Sequence, residues 1–414
     1  MPSASAKSER GLDWFTFFVA DIQTGFGPFL AIYLTTQKWN QADIGLILAV
    51  GSIAGLISQL PGGWLVDVVR SKRNIAMVAV VGIGASALLI AVSPLFLSIM
   101  VAKLLHVGAS SVLGPAIAAI TLGLVGHAAV GPRFGRNARF AAIGNALAAG
   151  VMGACGYLIS PQAVFLVTAA LAVPTLLALA QIRDTEIDPV RADAGATPHN
   201  DNLVTGLGAL FRKRSLVTLA LCIFMFHAAN AAMLPLVGTE MTLRSGQWAA
   251  ALIAVCIVGP QLVVALIAPR IGALAIRKGR RPMLLLGFAA LPVRAAMLAL
   301  NSDPAVIVVV QLLDGVCAAV LGVLVPLSLA DIAQGTGRFN LAQGIIASVT
   351  GIGAAFSTLL AGHLAQHFGA PTAFLCLAGI AALAFLTVLL AMPETSPGDE
   401  HRGRELTDGT HVVR

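Results

Sequence analysis

Gly62-Gly63-Trp64-Leu65-Val66-Asp67-Val68-Val69-Arg70-Ser71-Lys72-Arg73 ends a long apolar run at one acid and a basic cluster. A degraded second copy reads Gly272-Ala273-Leu274-Ala275-Ile276-Arg277-Lys278-Gly279-Arg280-Arg281, so that Gly63 and Leu65 fall on Gly272 and Leu274 at an offset of 209. The copies are complementary. The first keeps the acid, Asp67, with Arg70 and Lys72, whereas the second has Ile276 at the acid's place and keeps Arg277, Gly279, Arg280 and Arg281. A signature recurring near half the chain length implies an internal duplication.

Working outward from this stretch, the chain is a succession of apolar runs of about 20 residues, the length that crosses a bilayer. Twelve are expected: 13–35, 44–66, 75–93, 96–125, 139–160, 163–182, 215–237, 247–269, 282–300, 304–330, 341–366 and 371–392. Only 11% of residues are charged and 57% are hydrophobic, with mean hydropathy +0.88. Soluble domains carry about 25% charged residues, so a soluble globule is excluded. With both ends assigned to the cytoplasm, the 26 Lys and Arg fall on cytoplasmic segments except Lys38 and Arg244 outside and Lys103 and Arg294 within spans. That is the positive-inside pattern. The net charge of +7 therefore reports topology and contact with the lipid bilayer, and no nucleic-acid partner is expected. The first span is too long for a signal peptide's apolar core and no cleavage pattern follows it, so it is read as retained. Cys155, Cys222, Cys256, Cys317 and Cys376 all lie in spans without a close pair, which excludes a CxxC redox or zinc motif.

The duplication extends to the spans that carry polar residues. In the first, Asp21 and Gln23 precede Gly27-Pro28, and in the seventh His227 and Asn230 precede Pro235, with Gln23 on Asn230 and Pro28 on Pro235 at an offset of 207. In the fourth, Lys103-Leu-Leu-His106 is answered in the tenth by Gln311-Leu-Leu-Asp314 at an offset of 208. A carboxylate in mid-membrane costs roughly 2.5–3.5 kcal/mol on insertion scales and so faces protein or water. Asp21 and Asp314 are the two acids at that depth. Matched depth also leads to the expectation that Lys103 and His106 share the outer half of a cavity with Asp314.

Both loop copies resemble the signature of the major facilitator superfamily, Gly-x-Leu-x-Asp-Arg-x-Gly-Arg-Arg. The fourth span resembles that family's Arg-x-x-Gln-Gly-x-Gly segment, with Lys103 at the Arg and His106 at the Gln. The resemblance implies an all-α integral membrane protein of twelve helices in two pseudo-symmetric six-helix bundles. The domains would be an N-terminal tail (1–12), a first bundle (13–182), a cytoplasmic linker (183–214), a second bundle (215–392) and a C-terminal tail (393–414). It further implies alternating access around a cavity lined by helices 1, 4, 7 and 10. On this reading Asp21, Asp314, His106 and His227 are proton-coupling candidates, and Gln23, Lys103, Asn230 and Gln311 are substrate-cavity candidates. Gly63, Asp67, Arg70, Lys72, Arg277, Gly279, Arg280 and Arg281 form a cytoplasmic gate, with Asp67 accepting from basic groups or a helix N-terminus of the opposite half.

The expected partners are a small-molecule substrate and protons, the expected location a bacterial inner membrane with both termini cytoplasmic, and the expected state a monomer. No cofactor or metal is expected. His363 and His367 stand one turn apart but lack a third ligand. No Gly-x-x-x-x-Gly-Lys-Ser/Thr, His-Glu-x-x-His or Gly-x-Ser-x-Gly occurs, so nucleotide-driven transport and membrane-embedded hydrolysis lack their machinery and no enzyme is expected. The two acids favour export of an amphiphilic or cationic compound. Import of a small organic anion held by Lys103 is the alternative, and a non-transporting sensor or scramblase is the reading from another class. Arg294 is expected to snorkel to the outer headgroups. Residues 183–214 are expected to be disordered until Leu203–Phe211, which suits an interfacial segment, and the tail from Pro393 is expected to be mobile.

Overall fold

The computed structural model describes residues 4–24, 28–195, 203–245 and 249–396. Gly27, singled out beside Pro28, lies outside them. The first crossing is α1 (Ala6–Thr24) and α2 (Pro28–Thr36), followed by α3 (Gln41–Val68), α4 (Lys72–Val92), α5 (Phe96–Leu158) and α6 (Pro161–Ala180). A short α7 (Pro189–Ala192) and α8 (Leu203–Phe211) belong to the linker region. The second half runs α9 (Arg214–Asn230) and α10 (Met233–Ser245), then α11 (Ala249–Lys278), α12 (Arg280–Leu300), α13 (Pro304–Ile332), α14 (Phe339–Phe368) and α15 (Ala370–Ala391).

Ten helices among the described residues are long and apolar enough to cross a membrane. One of them, α5, is two crossings joined at Gly126, whose φ of 68° and ψ of 174° interrupt the helix; glycine reaches that region without the Cβ clash that other residues meet. The broken first helix adds the last, which recovers the twelve crossings. The segment around Gly135-Arg136-Asn137, between the fourth and fifth apolar runs, is helical and belongs to the second part of α5.

Several helix starts are written locally. Asn40 accepts from Asp43 N, Ser71 from Asn74 N and Ser160 from Ala163 N, and Asp303 accepts from Ala305 N and Val306 N. Such caps contribute about 0.5–2 kcal/mol each. α14 receives none from Arg338, as α5, α9, α12 and α15 receive none from their own N-cap residues.

The two halves touch at the end of the bundle that carries the Asp67 loop and the linker. A Cβ at Gly63 would stand 2.3 Å from Asn340 O, one at Gly344 2.5 Å from Gln59 O, and one at Gly272 2.1 Å from Gly131 O. Only hydrogen fits there, which explains why the repeat aligns Gly63 with Gly272. His127 Nε2 also meets Ala330 O at 3.1 Å, and Arg139 Nε donates to Ala265 O at 2.8 Å. Towards the far end, positions 45, 150, 153 and 362 would meet nothing within 4 Å. The close inter-half contacts thus gather at the linker end.

Residues 183–195 are ordered, contrary to the expectation of a disordered linker. Asp188 N donates to Gly123 O at 3.2 Å, Ser5 donates from N and Oγ to Glu186 Oε2 at 2.9 Å, and Gly335 N donates to Ala194 O at 2.7 Å. The segment is thus held to the first half and, through Gly335, to the α13–α14 turn of the second. Its anchor is Asp193, fully buried, with Oδ1 2.8 Å from Lys72 Nζ. The Lys72 ammonium also lies within hydrogen-bonding distance of the carbonyls of Val66, Asp67 and Val69 at the end of α3, and it is the ionic and hydrogen-bonding partner of the Asp193 carboxyl. Burial pushes the Asp193 carboxyl up to about 6 against the pull of Lys72. The C-terminal tail is likewise tied down at its start. Glu394 accepts from Arg280 N and Arg281 N at 2.8 and 3.1 Å, capping α12.

A carboxyl whose pKa is raised by docking holds its proton more tightly when docked than when free. Docking of the linker is therefore strongest below about 4 and weakens as pH rises through about 6. Hydrogen-exchange protection factors of residues 188–195, corrected for intrinsic rates, are expected to rise between pH 7 and pH 5. A fall over that range would contradict the assignment, and Lys72→Met is expected to lower protection at both pH values.

Candidate functional site

Two clusters of polar side chains and one separate acid concern the sequence-named residues inside the bundle. The first is the Asp67 contact. Oδ1 accepts from Asn340 N at 3.0 Å and from Asn340 Nδ2 at 2.8 Å, and Oδ2 accepts from Leu341 N at 2.8 Å. These N–H groups open α14, so an acid of the first half serves as N-cap to a helix of the second. A carboxylate there also meets the positive end of the helix dipole. Of the other gate candidates, Lys72 closes the end of α3 as described, and Gly279 carries φ 95° beside the Glu394 carboxylate. Arg280 pairs with Asp331 at 2.9 Å and donates to Ala275 O at 3.1 Å. Arg281 is half-buried, its Nη2 donating to Leu389 O. Arg70 and Arg277 are exposed and form no ion pair among the described residues. The acid absent at Ile276 is supplied from elsewhere in the chain, by Asp331 and Glu394.

The second cluster belongs to the second half. Arg294, 1% exposed, donates from Nη1 to Asp314 Oδ1 at 2.6 Å and to Asn230 Oδ1, and from Nε to Gln311 Oε1 at 2.9 Å. The expectation that Arg294 snorkels is overturned. The planar guanidinium satisfies three side chains from α9 and α13 at once, a geometry an ammonium cannot copy. The expected grouping of Asp314 with Lys103 and His106 fails with it, because Asp314 takes its counter-ion from α12. Lys103 instead lays its methylenes over Gly51 of α3, where a Cβ would fall 2.4 Å from Cε. Among the described residues it forms no ion pair. His106 is buried beside it, with Ser110 Oγ 3.4 Å from Nε2. His227 packs its Cβ toward Gly353 of α14 and lies within electrostatic reach of Asp314.

Asp21 stands apart from all of these. It sits in the last turn of α1, 5% exposed, with Oδ1 3.2 Å from the place a Cβ at Gly144 would take. No donor among the described residues reaches that oxygen. Gln23, one turn from the Pro28 start of α2, is half-buried.

Between the halves, above the closed end, lies a cavity of about 380 Å³. Its polar lining is Thr16, Asn137, Asn145, Gln261 and Gln343, among apolar and glycine positions of α5, α11 and α13. A model of the Major Facilitator Superfamily matches residues 14–261 and 245–411. The chain belongs to this superfamily. Two relatives described as uncharacterized MFS-type transporters, MT2531 and Rv2456c from two strains of Mycobacterium tuberculosis, are each 40% identical over 395 residues, covering 94% of either chain. In structure the chain resembles the human organic anion transporter MFSD10, with a TM-score of 0.68, 16% identity, and coverage of 93% of this chain and 100% of that one. It also resembles a variant of the nucleoside transporter NupG, with a TM-score of 0.64, 17% identity, and coverage of 92% and 98%.

In this facilitator-superfamily protein none of the eight coupling and cavity candidates named from sequence lines that cavity. The amides that do line it come from the fifth, eighth and eleventh crossings, not from the first, fourth, seventh and tenth alone. Asn145, Gln261 and Gln343 stand as isolated amides within apolar runs, and Asn137 stands among basic residues before the fifth run. Asn137 in particular is held in place, with Oδ1 accepting from Arg133 Nε at 3.1 Å and Nδ2 donating to Thr121 Oγ1 at 2.8 Å. Arg133 is itself paired with Asp13 at 2.7 Å.

Arg294→Leu leaves Asp314 without its counter-ion and is expected to destabilise the purified protein by about 3–5 kcal/mol, the usual result of breaking a buried pair from one side. The double change with Asp314→Leu is expected to recover part of that loss in a thermal melt; a double variant as unstable as the single one would contradict the pairing. Gly272→Ala is expected to hold the linker ends apart. On a cysteine-free background, spin labels at positions 70 and 277 should then lie several Å farther apart than in the parent, and an unchanged distance would count against the close approach as the closing contact.

Proposed function

We propose that this protein is a proton-coupled secondary transporter that moves a small organic solute by alternating access, with its linker end cytoplasmic. The observation that carries the reading is the cavity between the two halves, together with a buried carboxyl, Asp21, whose Oδ1 lacks a donor among the described residues. A rocking motion of the halves would expose that cavity to each side in turn. The Asp67 cap and the glycine contacts would be the bonds broken and remade at the cytoplasmic end. Arg280, Arg281 and Lys72 would shape the gate within each half.

Asp21 is the favoured coupling carboxyl. Asp314 is held by Arg294 at 2.6 Å, whereas Asp21 has no ion-pair partner among the described residues, and an acid without a counter-ion in low dielectric binds and releases its proton with the access of water. His106 and His227 become secondary candidates. Export of a cation was favoured because two acids were taken to face the cavity, and anion import because Lys103 was; with Asp314 paired and Lys103 over Gly51, neither argument keeps its support. Neighbours named for organic anions and for nucleosides share this fold, so the fold leaves the choice of substrate to the side chains of the cavity.

Asp21→Asn is expected to abolish proton-driven accumulation in vesicles while permitting energy-independent exchange of labelled substrate. Undiminished accumulation by that variant would remove Asp21 from the coupling role and move it to Asp314.

A further inference from the structure

We infer that the solute is uncharged and carries several hydrogen-bonding hydroxyl or amide groups, and that Asn145 and Gln261 on opposite halves select it. The inference rests on the transport reading and concerns the chemistry of the same cavity. The argument begins with what the lining lacks. Among the residues bounding the cavity there is no Asp, Glu, Lys, Arg or His. A charged solute would leave water for a site of low dielectric with no counter-ion, and an unpaired buried charge is far more expensive than an unpaired neutral group.

Charges set back from the lining are engaged with other groups, Arg139 with Ala265 O at 2.8 Å. On the linker side Asp13, 2% exposed, is shared by Arg133 and Arg136. In the second half Asp314 is held by Arg294. The carboxyl left over is Asp21, and in the role proposed for it a protonated Asp21 is neutral, so it offers a cation no lasting partner.

The lining that is present points the same way. Side-chain amides offer both a carbonyl acceptor and two N–H donors, so a pair of them facing each other across a cavity can satisfy a group that both donates and accepts. Hydroxyls and amides of the solute are such groups, whereas carboxylates only accept and ammonium groups only donate. Asn145 follows Gly144, against which Asp21 packs, and Gln261 comes from α11 of the other half. A solute bridging them would touch both halves and lie close to the coupling carboxyl. The volume, about 380 Å³, sits near the lower end of the 300–1,000 Å³ typical of small-molecule sites. That suits a compact solute. A site built from hydrogen-bonding groups rejects analogues that lack the matching groups, because its own polar atoms are then left unpaired.

The test uses the purified full-length protein and six probes of compact size. Glucose, myo-inositol and uridine are neutral and rich in hydroxyls, while benzoate, glutamate and tetraethylammonium are charged. Each is examined by thermal shift and, after reconstitution, by counterflow. The expected result is stabilisation by at least one neutral probe and by no charged probe. Asn145→Leu and Gln261→Leu, which keep the volume and remove the amide, are each expected to weaken that probe's apparent affinity at least tenfold, the shift being read against each variant's own unliganded melting temperature. Stabilisation by a charged probe that either variant abolishes overturns the inference and leaves the transport reading standing. Absence of stabilisation by all three neutral probes overturns it as well. Neutral probes that bind through the two amides but show no counterflow support the site and count against the carrier.

Discussion

α14 begins without a cap of its own, and the carboxylate that satisfies its first N–H groups comes from the other half of the molecule. Unmet N–H groups at a buried helix start are costly, so the Asp67 contact gives the linker-closed arrangement a stabilisation that an opened one must replace with water. The two arrangements of an alternating-access protein need to lie within a few kcal/mol of each other for a solute or proton to shift the balance. A single inter-half cap, worth about 0.5–2 kcal/mol, is of the right size for that purpose. The glycine contacts at Gly63, Gly131 and Gly272 add surface complementarity without a polar bond that would have to be broken.

The charge distribution inside the bundle is uneven between two halves of common origin. In the second, Arg294 binds Asp314, Gln311 and Asn230 and makes α9, α12 and α13 one unit. In the first, Lys103 and His106 occupy positions equivalent to Gln311 and Asp314, Lys103 forms no ion pair among the described residues, and Asp21 lies on another helix. A half braced by a buried guanidinium network is suited to remain rigid, and a half with an unpaired acid is suited to respond to protonation. The duplication provided two copies of one scaffold, and different side chains gave them different electrostatic tasks.

The linker and the start of the tail also take part in the fold. Asp193 is drawn under the bundle by Lys72, and Glu394 closes the start of α12. In both cases an acid distant in sequence meets a basic turn of the duplicated loop. The second copy of the signature lost its own acid at Ile276, and Asp331 and Glu394 occupy its electrostatic place.

Much of this architecture was legible in the sequence alone, because bilayer thickness and the exclusion of unpaired polar groups from lipid leave few options for apolar runs of about 20 residues. The crossings, the duplication and the superfamily followed from those constraints and from the loop copies at Gly63 and Gly272. The glycines of that signature had a local meaning, close approach of backbones, that held in three dimensions. Pairings did not follow. Matched offsets put Lys103 beside Asp314 at equal depth, but depth says nothing of rotation about a helix axis, and the guanidinium of Arg294 reached Asp314 from α12. The order of the linker at Asp193, the identity of α14 as the helix whose start Asp67 meets and the amide lining at Asn145 and Gln261 depended on contacts between residues far apart in the chain. A side chain's partner is decided by the direction in which it projects and by what the neighbouring helix presents there, and the packing of the two halves supplied both.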